Sequence, residues 1–518
     1  MAQEVLGVDA RPRSPRTNRF LVFSAMVIAL AMIAVACGGP SASPGRTGAS
    51  GSPGTGTPVT SASPGGSPDE SPAESPAESG SPAVTPEPTD PPQPTGAPLA
   101  EGGPDIATTV VPPDAGGQIE VWNHFTGPDG SYFTALVDRF NAEQQSCQAS
   151  VRVQVGAIFN QKVVQGALGG TMPHVLAGGY DRIPFLASEG VLSDIQDVAD
   201  LAGFSDATFP AAIWGAGTYN GVRYGIPLDT HPAVFYYNKA LLADAGITDP
   251  PTDQASFEAA ITAVNEQTEA DGYQMVGSGP GANFLTGLQF ATLFYQGGGE
   301  WANAEFTEAT FNSPAGLQAA EYLRHLVVDL GVPLVESDQE ITAFIAGENA
   351  MVLSGIWESS RYSEALGEDL GIGLFPAIYG EGTWGGTHQM MLTTRAEESP
   401  EVRQCSAYFI DWISANSFNW AEGGQVPARN EVRQAILDAD PASLNATLQI
   451  IQQVAPIAES VQFLPTIPSG GDLLFLGRGA GEAAVLTVNG TGTAQENLDD
   501  SAAFMTDRLV TDKNTYGY

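Results

Sequence analysis

The chain has 518 residues, and its 59 aspartates and glutamates against 20 lysines and arginines give a formal net charge of −39 at pH 7. This balance argues against a nucleic-acid-binding role, because attraction between basic side chains and phosphates dominates such affinity and would here be replaced by repulsion. The excess of acidic side chains favours solubility, and a saline habitat or a genome-wide bias would each produce it.

The first 36 residues have the pattern of a secretory signal. Four arginines precede an uncharged run over residues 20–36, which ends in small residues directly before Cys37. A basic stretch, an apolar core and a cysteine at this position are typical of a lipoprotein signal. The alternative, an uncleaved membrane anchor, is disfavoured because a spanning helix needs about 20 apolar residues. We therefore expect residues 1–36 to be removed and Cys37 to carry palmitate or another acyl chain, which holds the protein at the outer face of the cell membrane.

Residues 37–116 are dominated by serine, glycine, proline, threonine and alanine, with a near-repeat at residues 70–79. Such a segment has too few large apolar side chains to offset the entropy lost on ordering. It is predicted to be a disordered stalk, partly polyproline II in character, that tethers a folded part to the lipid.

The remaining residues, about 400, are enough for two lobes. Alternating polar and apolar residues predict strands at 118–122 and 151–155, and a buried strand is predicted at 173–177. Apolar residues at helical spacing predict helices within 131–145 and 161–168. This alternation of strands and helices favours right-handed crossovers and a largely parallel sheet, so the predicted fold class is α/β.

Local signals also predict two helices further along the chain. Asn238 stands where an apolar strand gives way to helix-forming residues, so it is predicted to be the N-cap of that helix. Phe257, Ile261 and Val264 recur at helical spacing and predict that the next helix buries one face.

Two cysteines remain besides Cys37. Cys147 and Cys405 are an even pair in an oxidising compartment, so a disulfide between them and two separately buried thiols are both compatible with the sequence.

Several motifs then occur in a characteristic order. Residues 224–230 read Tyr-Gly-Ile-Pro-Leu-Asp-Thr, residues 344–351 read Phe-Ile-Ala-Gly-Glu-Asn-Ala-Met, and residues 425–429 read Gln-Val-Pro-Ala-Arg. In this order the motifs resemble those of the extracellular solute-binding proteins of family 1, the receptors of carbohydrate ABC importers, which include maltose-binding proteins. One departure is His174, where the family usually has an aspartate after proline.

The resemblance implies a two-lobed fold of the type II periplasmic-binding-protein kind, with a hinge and a ligand cleft between the lobes. By analogy, the first lobe holds residues 117–229 plus 385–430, and the second holds residues 230–384 plus 431–518. Hinge segments are expected near residues 229–232, 384–387 and 429–433. Cys147 and Cys405 then fall in the same lobe.

Aromatic and polar residues follow several predicted strand ends, where loops of open α/β sheets face a binding crevice. With the resemblance, they give this candidate ligand-binding set: Trp122, His124, Tyr180, Asp181, Arg182, Asp229, Trp357, Glu358, Trp384, His388, Gln425 and Arg429. Carboxylates in it would accept hydrogen bonds from sugar hydroxyls, cationic groups would donate, and aromatic rings would stack on the sugar's C–H faces. The alternative for each aromatic residue is a place in the core, and Gln425 and Arg429 would then only cap the last first-lobe turn.

Signatures of enzymes are missing from the sequence. None of the five histidines has an HExxH or other metal-ligand spacing, so neither a metal nor a cofactor is expected. No nucleophile elbow, phosphate-binding loop or dinucleotide fingerprint occurs, although a glycosidase carboxylate pair would leave no such signature.

The sequence therefore predicts a monomeric extracytoplasmic receptor that captures a sugar or oligosaccharide by hinge closure and delivers it to the permease subunits of an ABC importer. Two alternatives stay open: a receptor for another solute, such as a polyol phosphate or a peptide, and a surface sensor or adhesin without a transport role.

Overall fold

The computed structural model describes residues 92–114, 116–459, 461–475 and 477–518. The predicted signal, Cys37 and most of the predicted stalk lie outside these residues. Within them, no helix combines the length and the apolar character that crossing a bilayer requires.

Fourteen strands occur in the described residues, numbered here in chain order: β1 (Gly117–Asn123), β2 (Cys147–Val153), β3 (Val175–Gly179), β4 (Thr218–Tyr219), β5 (Val222–Arg223), β6 (Gly225–Pro227), β7 (Asp229–Asn238), β8 (Met275–Ser278), β9 (Leu334–Glu336), β10 (Met351–Gly355), β11 (Leu370–Gly373), β12 (Gly385–Gly386), β13 (His388–Leu392) and β14 (Val426–Pro427).

The α-helices of the same residues are α1 (Pro128–Glu143), α2 (Phe159–Gly169), α3 (Ile183–Ser188), α4 (Gln196–Ala202), α5 (Ala211–Ala216), α6 (Lys239–Asp244), α7 (Gln254–Gln267), α8 (Ala282–Gln296), α9 (Pro314–Val328), α10 (Gln339–Ala346), α11 (Ser359–Leu366), α12 (Pro400–Ala415), α13 (Ser417–Ala421), α14 (Asn430–Asp438), α15 (Ala446–Val454), α16 (Asp472–Phe475), α17 (Ala480–Val488) and α18 (Ala494–Tyr516).

Each of the two lobes is built on its own sheet. The first sheet has the strand order β2-β1-β3-β13-β6, in which β1 pairs parallel with β2 and β3, while β13 is antiparallel to both its neighbours. The second sheet has the order β10-β7-β11, and both pairs are antiparallel. The α/β class is confirmed. Parallel pairing is found among β1, β2 and β3, as expected, and between β8 and β9, while the other strand pairs are antiparallel.

Local sequence signals account for several elements. Helix α1 covers the predicted helical stretch and buries Phe133, Leu136 and Phe140 on one face. The side chain of Asn238 accepts a hydrogen bond from the Leu241 amide at 3.2 Å, so the predicted cap of α6 is confirmed.

The chain crosses between the lobes at three adjacent places. Strand β7 starts in the first crossing, and its register pairs Thr230 with Val426 and His231 with Gly386. Thr230 Oγ1 donates to the Gly386 carbonyl at 3.1 Å. The third crossing thus pairs with β7 at Val426–Pro427, slightly before the 429–433 segment expected from the resemblance.

Residues 92–114 form a segment without helix or strand, which we call the N-terminal strap. It lies against the first lobe and, at Ile106, against a core cluster that includes second-lobe residues. The side chain of Gln93 exchanges two hydrogen bonds with the backbone of Val153, at 2.7 and 3.2 Å. Further along, the amides of Thr109 and Val110 donate to Asp411 Oδ2 at 2.6 and 2.8 Å. The folded part therefore begins upstream of the predicted boundary at residue 117.

Both cysteines of the first lobe are fully buried, Cys147 in β2 and Cys405 in α12. They are free thiols in this structure. A hydrogen bond between the two thiols and their burial raise the pKa of Cys405 above its ordinary value. The structure thus brings the pair together without a bond, and a disulfide stays a prediction.

Candidate functional site

A carboxylate and two imidazoles meet where the chain crosses between the lobes. Asp229 and His231 lie at the start of β7, and His388 lies at the start of β13. Asp229 Oδ1 is 3.0 Å from His231 Nδ1, and Asp229 Oδ2 is 2.7 Å from His388 Nδ1. We call these three residues the hinge cluster.

The Asp229 carboxylate is completely enclosed and fully hydrogen-bonded. Besides the two imidazoles, the Trp420 indole donates to Oδ2 at 2.8 Å and the His388 amide donates to Oδ1 at 3.0 Å. Burial raises the pKa of Asp229, but the two imidazoles outweigh burial and hold the pKa well below its ordinary value. With four hydrogen bonds accepted, Asp229 orients His231 and His388, and its contact with a sugar ligand stays a prediction.

The first lobe contributes polar side chains beside this cluster. Gln425 Nε2 donates to Asp129 Oδ2 at 3.0 Å, and burial raises the pKa of Asp129 to about 6. His124 lies between aromatic rings, with its ring centroid 5.5 Å from that of His388. Burial, and then the nearby Arg182, lower the pKa of His124 well below its ordinary value, so its imidazole is neutral.

Several polar atoms of this region are buried and have no hydrogen-bond partner among the described residues: Asn123 Nδ2, His124 Nε2, Asp129 Oδ1, Arg182 Nε, Trp384 Nε1 and Gln425 Oε1. Buried polar groups are normally paired, because an unpaired one costs about 1–3 kcal/mol. A set of unpaired donors and acceptors on both lobes is the arrangement expected of a site that completes its hydrogen bonds with a ligand.

The second lobe contributes four aromatic side chains, Phe284, Trp357, Trp384 and Phe475, which we call the aromatic wall. Phe284 is at the centre, with ring centroids 5.9 Å from Trp357 and 5.1 Å from Phe475. Trp384 lies 5.8 Å from Phe475, and His231 of the hinge cluster lies 6.0 Å from both tryptophans. Phe284, Trp357 and Phe475 are only half-buried, so the wall keeps accessible flat apolar faces.

The two lobes touch on both sides of this region. The hydroxyl of Tyr180 donates to the Leu464 carbonyl at 3.3 Å, and the hydroxyl of Tyr516, in α18, donates to Glu189 at 2.7 Å. A Cβ built on Gly127 would lie 3.8 Å from Trp357 Cδ1, so the loop before α1 also packs against the second lobe. The structure therefore shows the lobes closed on each other.

Most of the sequence-predicted residues are brought to this region. They are His124, Tyr180, Asp181, Arg182, Asp229, Trp357, Glu358, Trp384, His388 and Gln425. Arg182 is held by hydrogen bonds to Asn160 at 3.2 Å and to the Gly156 carbonyl at 3.3 Å. Glu358 pairs with Arg361 at 3.2 Å, and burial raises the pKa of Glu358 to about 7.

Two predicted residues lie elsewhere. Trp122 is 6% exposed and packs in a first-lobe core cluster, where its indole donates to Glu120 at 2.8 Å. Arg429 pairs with Asp411 and Glu431, at 3.7 and 3.2 Å. Trp122 thus packs against the sheet and Arg429 is held by two carboxylates, so a ligand contact for either residue stays a prediction.

Other residues of the region were not predicted: Asp129, His231, Phe284 and Phe475. Phe284 and Phe475 lie in helices that are far apart in sequence, where an apolar residue ordinarily indicates a core position. His231 is two residues after Asp229, and that spacing on a strand end is the one signal that would have paired them.

The hinge cluster is also the group of the described residues whose side chains offer three metal-ligand atoms within 4.8 Å of one another. The spacing of its members in sequence is far from any metal-binding motif, which explains why no metal site was expected.

Comparisons with known proteins agree with this architecture. The family model described as "Bacterial extracellular solute-binding protein" matches residues 126–417. A putative binding protein of Brucella abortus is 22% identical over 395 residues, which covers 73% of this chain and 90% of that protein. The maltooligosaccharide ABC transporter solute-binding lipoprotein of Streptococcus pneumoniae is 20% identical over 67% of this chain and 82% of its own.

Among solved structures, the GacH receptor of Streptomyces glaucescens, studied without ligand and with acarbose, superimposes with a TM-score of 0.65 at 20% identity, covering 77% of this chain and 99% of GacH. This similarity confirms the two-lobed fold with a cleft at the hinge. Since the family model also covers more than half of the sequence, the chain belongs to the bacterial extracellular solute-binding proteins.

Proposed function

We propose that this protein is the extracytoplasmic receptor of an ABC importer and that it captures a sugar or oligosaccharide between its lobes. The observation that carries the proposal is the pairing of the aromatic wall with the unpartnered polar atoms of the opposite lobe. A sugar needs both, because its C–H faces are apolar while its rim carries hydroxyls that donate and accept. The pneumococcal relative is named for maltooligosaccharides, and GacH was solved with acarbose, which supports the same ligand class.

The mechanism follows from contacts that exist only when the lobes are closed. A ligand that touches the aromatic wall and the first-lobe polar atoms at once binds the closed form better than the open form, so it shifts the population toward closure. The three crossing segments lie side by side, which supports their bending together as one hinge. Permease subunits that recognise the closed shape would then receive the loaded receptor.

The place of the protein in the cell is part of the same proposal. The residues before Cys37 and the extracellular family support export, acylation of Cys37 and attachment to the outer face of the cell membrane. Cys37→Ala is expected to move the protein from the membrane fraction to the medium or the soluble fraction, as measured by immunoblotting. A variant that stays membrane-bound would contradict the lipid anchor.

Native mass spectrometry of the freshly purified protein, followed by isothermal calorimetry against oligosaccharides, polyols, sugar phosphates and peptides, tests the ligand class. We expect at least one oligosaccharide to bind with a micromolar dissociation constant, about −8 kcal/mol. Specific binding of only a sugar phosphate or a peptide would contradict the proposed ligand class. A folded protein that binds none of these solutes would overturn the receptor proposal.

Trp357→Ala tests the aromatic wall. Loss of one stacking face should weaken binding of that sugar about tenfold, since aromatic contacts contribute roughly 0.5–1.5 kcal/mol beyond the area that they bury. Trp214→Ala is the matched control, because Trp214 is also half-buried but lies under the Arg223 guanidinium, 3.3 Å from its carbon, away from the wall. Equal losses in both variants would contradict the role of the wall.

A further inference from the structure

The hinge cluster has a composition that sugar binding does not require. A buried carboxylate and two buried imidazoles converge from two crossing segments, with 0%, 7% and 6% of Asp229, His231 and His388 exposed. Imidazole nitrogens and a carboxylate oxygen are the ligands that zinc and related transition metals take in sites with three protein ligands, whereas calcium and magnesium prefer oxygen alone.

The distances suit a shared ion. Tetrahedral metal–nitrogen and metal–oxygen bonds of about 2.0–2.2 Å place neighbouring ligand atoms roughly 3.3–3.6 Å apart. The two Nδ1 atoms lie 3.0 and 2.7 Å from the oxygens of Asp229, and all three residues offer ligand atoms within 4.8 Å. Only small shifts would bring three atoms onto one ion.

An outer layer of hydrogen bonds fixes these ligands. The Trp420 indole and the His388 amide hold the two carboxylate oxygens, and Thr387 Oγ1 donates to the Asp229 carbonyl at 2.6 Å. Gly386 leaves room for the imidazole opposite, because a Cβ at that position would lie 2.3 Å from His231 Nε2. Metal sites typically have such a supporting layer, which orients the ligands before the ion arrives.

The charge of the surroundings also favours a cation. The ion pairs that Asp229 makes within the described residues are both with histidines. A second buried carboxylate, Asp129, is 5% exposed and is close enough to interact with Asp229 and His231, and its Oδ1 has no partner. The His231 and His388 rings are 4.2 Å apart, so both imidazoles lie beside these carboxylates. A divalent ion would balance the negative charge of both carboxylates.

We propose that Asp229, His231 and His388 bind one divalent transition-metal ion of the zinc class inside the hinge. Each imidazole donates from Nδ1 to Asp229 in this structure, so binding through Nδ1 would require that proton to move to Nε2. Because Asp229 and His231 belong to one crossing segment and His388 to another, the ion would cross-link the segments on which closure depends. The inference does not rest on the ligand class proposed above.

The test uses the full-length protein after removal of metals with a chelator. Zn²⁺ is titrated by calorimetry and Co²⁺ by visible absorption, with excess Ca²⁺ present to occupy the acidic surface and without any sugar. We expect one equivalent of Zn²⁺ to bind, Co²⁺ to develop the d–d bands of a low-coordinate nitrogen and oxygen site, and Zn²⁺ to raise the melting temperature.

His231→Gln and His388→Gln should each lower the affinity for Zn²⁺ at least tenfold, because removing even a residue that supports a metal ligand typically costs 10- to 100-fold in affinity. His325→Gln is the matched control: its imidazole is half-exposed and lies 2.7 Å from Asp329 and 3.5 Å from Glu258, so it represents chance chelation at the surface. It should leave the affinity unchanged.

Absence of saturable binding by the wild type would overturn the proposal and leave a hydrogen-bonded cluster. Binding that survives both hinge substitutions, or that disappears with His325→Gln, would overturn it as well. The wild-type titration and the Co²⁺ spectrum decide the matter even where a hinge variant fails to fold.

Discussion

Glu340 is a buried carboxylate whose two oxygens have no hydrogen-bond partner among the described residues. It lies in the first turn of α10 with 4% of its surface exposed, and burial raises its pKa to about 7. An acid whose folded pKa lies above its unfolded value costs stability once the pH exceeds the unfolded value, and the cost is complete above the folded pKa. The cost of Glu340 therefore develops between about pH 4.5 and pH 7.

Glu340→Gln should remove this cost. We expect a gain of about 1–2 kcal/mol in unfolding free energy at pH 8, and almost none at pH 4, where the glutamate is protonated in both states. Denaturant unfolding at the two pH values measures it. Glu336→Gln, at an exposed position nearby, should give no pH-dependent gain; the same gain there, or a gain at pH 4 equal to that at pH 8, would contradict the explanation.

Single residues were predictable where the signal was local. Asn238 as a cap and the buried face of Phe257, Ile261 and Val264 depend on neighbours within one helix turn, and both predictions were confirmed. The role of Asp229 depends on Trp420 and His388, which are remote in sequence, so its enclosure was beyond sequence reasoning.

At the scale of elements, the N-terminal strap differs most from its prediction, because its composition indicated a disordered segment. It has hardly any large side chains, but its backbone is held by side chains of the folded lobe, chiefly Asp411 and Glu422, with Ala100 N donating to Glu422 at 3.0 Å. Composition predicts how much apolar surface a segment can bury. It does not indicate whether side chains of distant elements will accept hydrogen bonds from the backbone of that segment.

Val110 and Val111 give a matched test of the strap, because one is 3% exposed and its neighbour is 71% exposed. Val110→Ala should lower the unfolding free energy by about 1–2 kcal/mol through loss of two buried methyl groups. Val111→Ala should change it by less than about 0.5 kcal/mol. Equal effects would show that the strap is not docked in solution.

The mixed first sheet shows that strand pairing, like the order of the strap, depends on residues that are remote in sequence. Short alternating runs predicted β1 and β2, but the antiparallel insertion of β13 between β3 and β6 joins residues far apart in sequence. The crossings of the chain between the lobes were predicted from the order of the family motifs, because no periodicity in the sequence indicates them.

At the scale of the whole molecule, side-chain hydrogen bonds join the two lobes across the cleft. The Tyr516 hydroxyl, at the end of the long helix α18, donates to Glu189 across the cleft at 2.7 Å. This bond exists only when the lobes are together, so it adds to the free energy of the closed form.

Tyr516→Phe should therefore favour opening. A hydrogen bond to a partly exposed carboxylate is worth about 1 kcal/mol, so affinity for the sugar identified by calorimetry should fall about fivefold. Small-angle scattering of the unliganded variant should give a larger radius of gyration than that of the wild type. Tyr379→Phe is the control, because it loses a hydroxyl that donates to the Gln318 carbonyl within the second lobe. An equal loss of affinity in that variant would contradict a role of the Tyr516 hydrogen bond in holding the lobes closed.

The strap also determines which part of the fold bears a force that is applied to the chain from upstream. Its first hydrogen bonds, counted from the upstream side, join Gln93 to Val153 at the end of β2, an edge strand of the first sheet. Tension on the chain before residue 92 would first pull on that edge strand of the first sheet. Because Ile106 further along the strap packs against a core cluster that includes second-lobe residues, opening of the lobes would also have to move the strap.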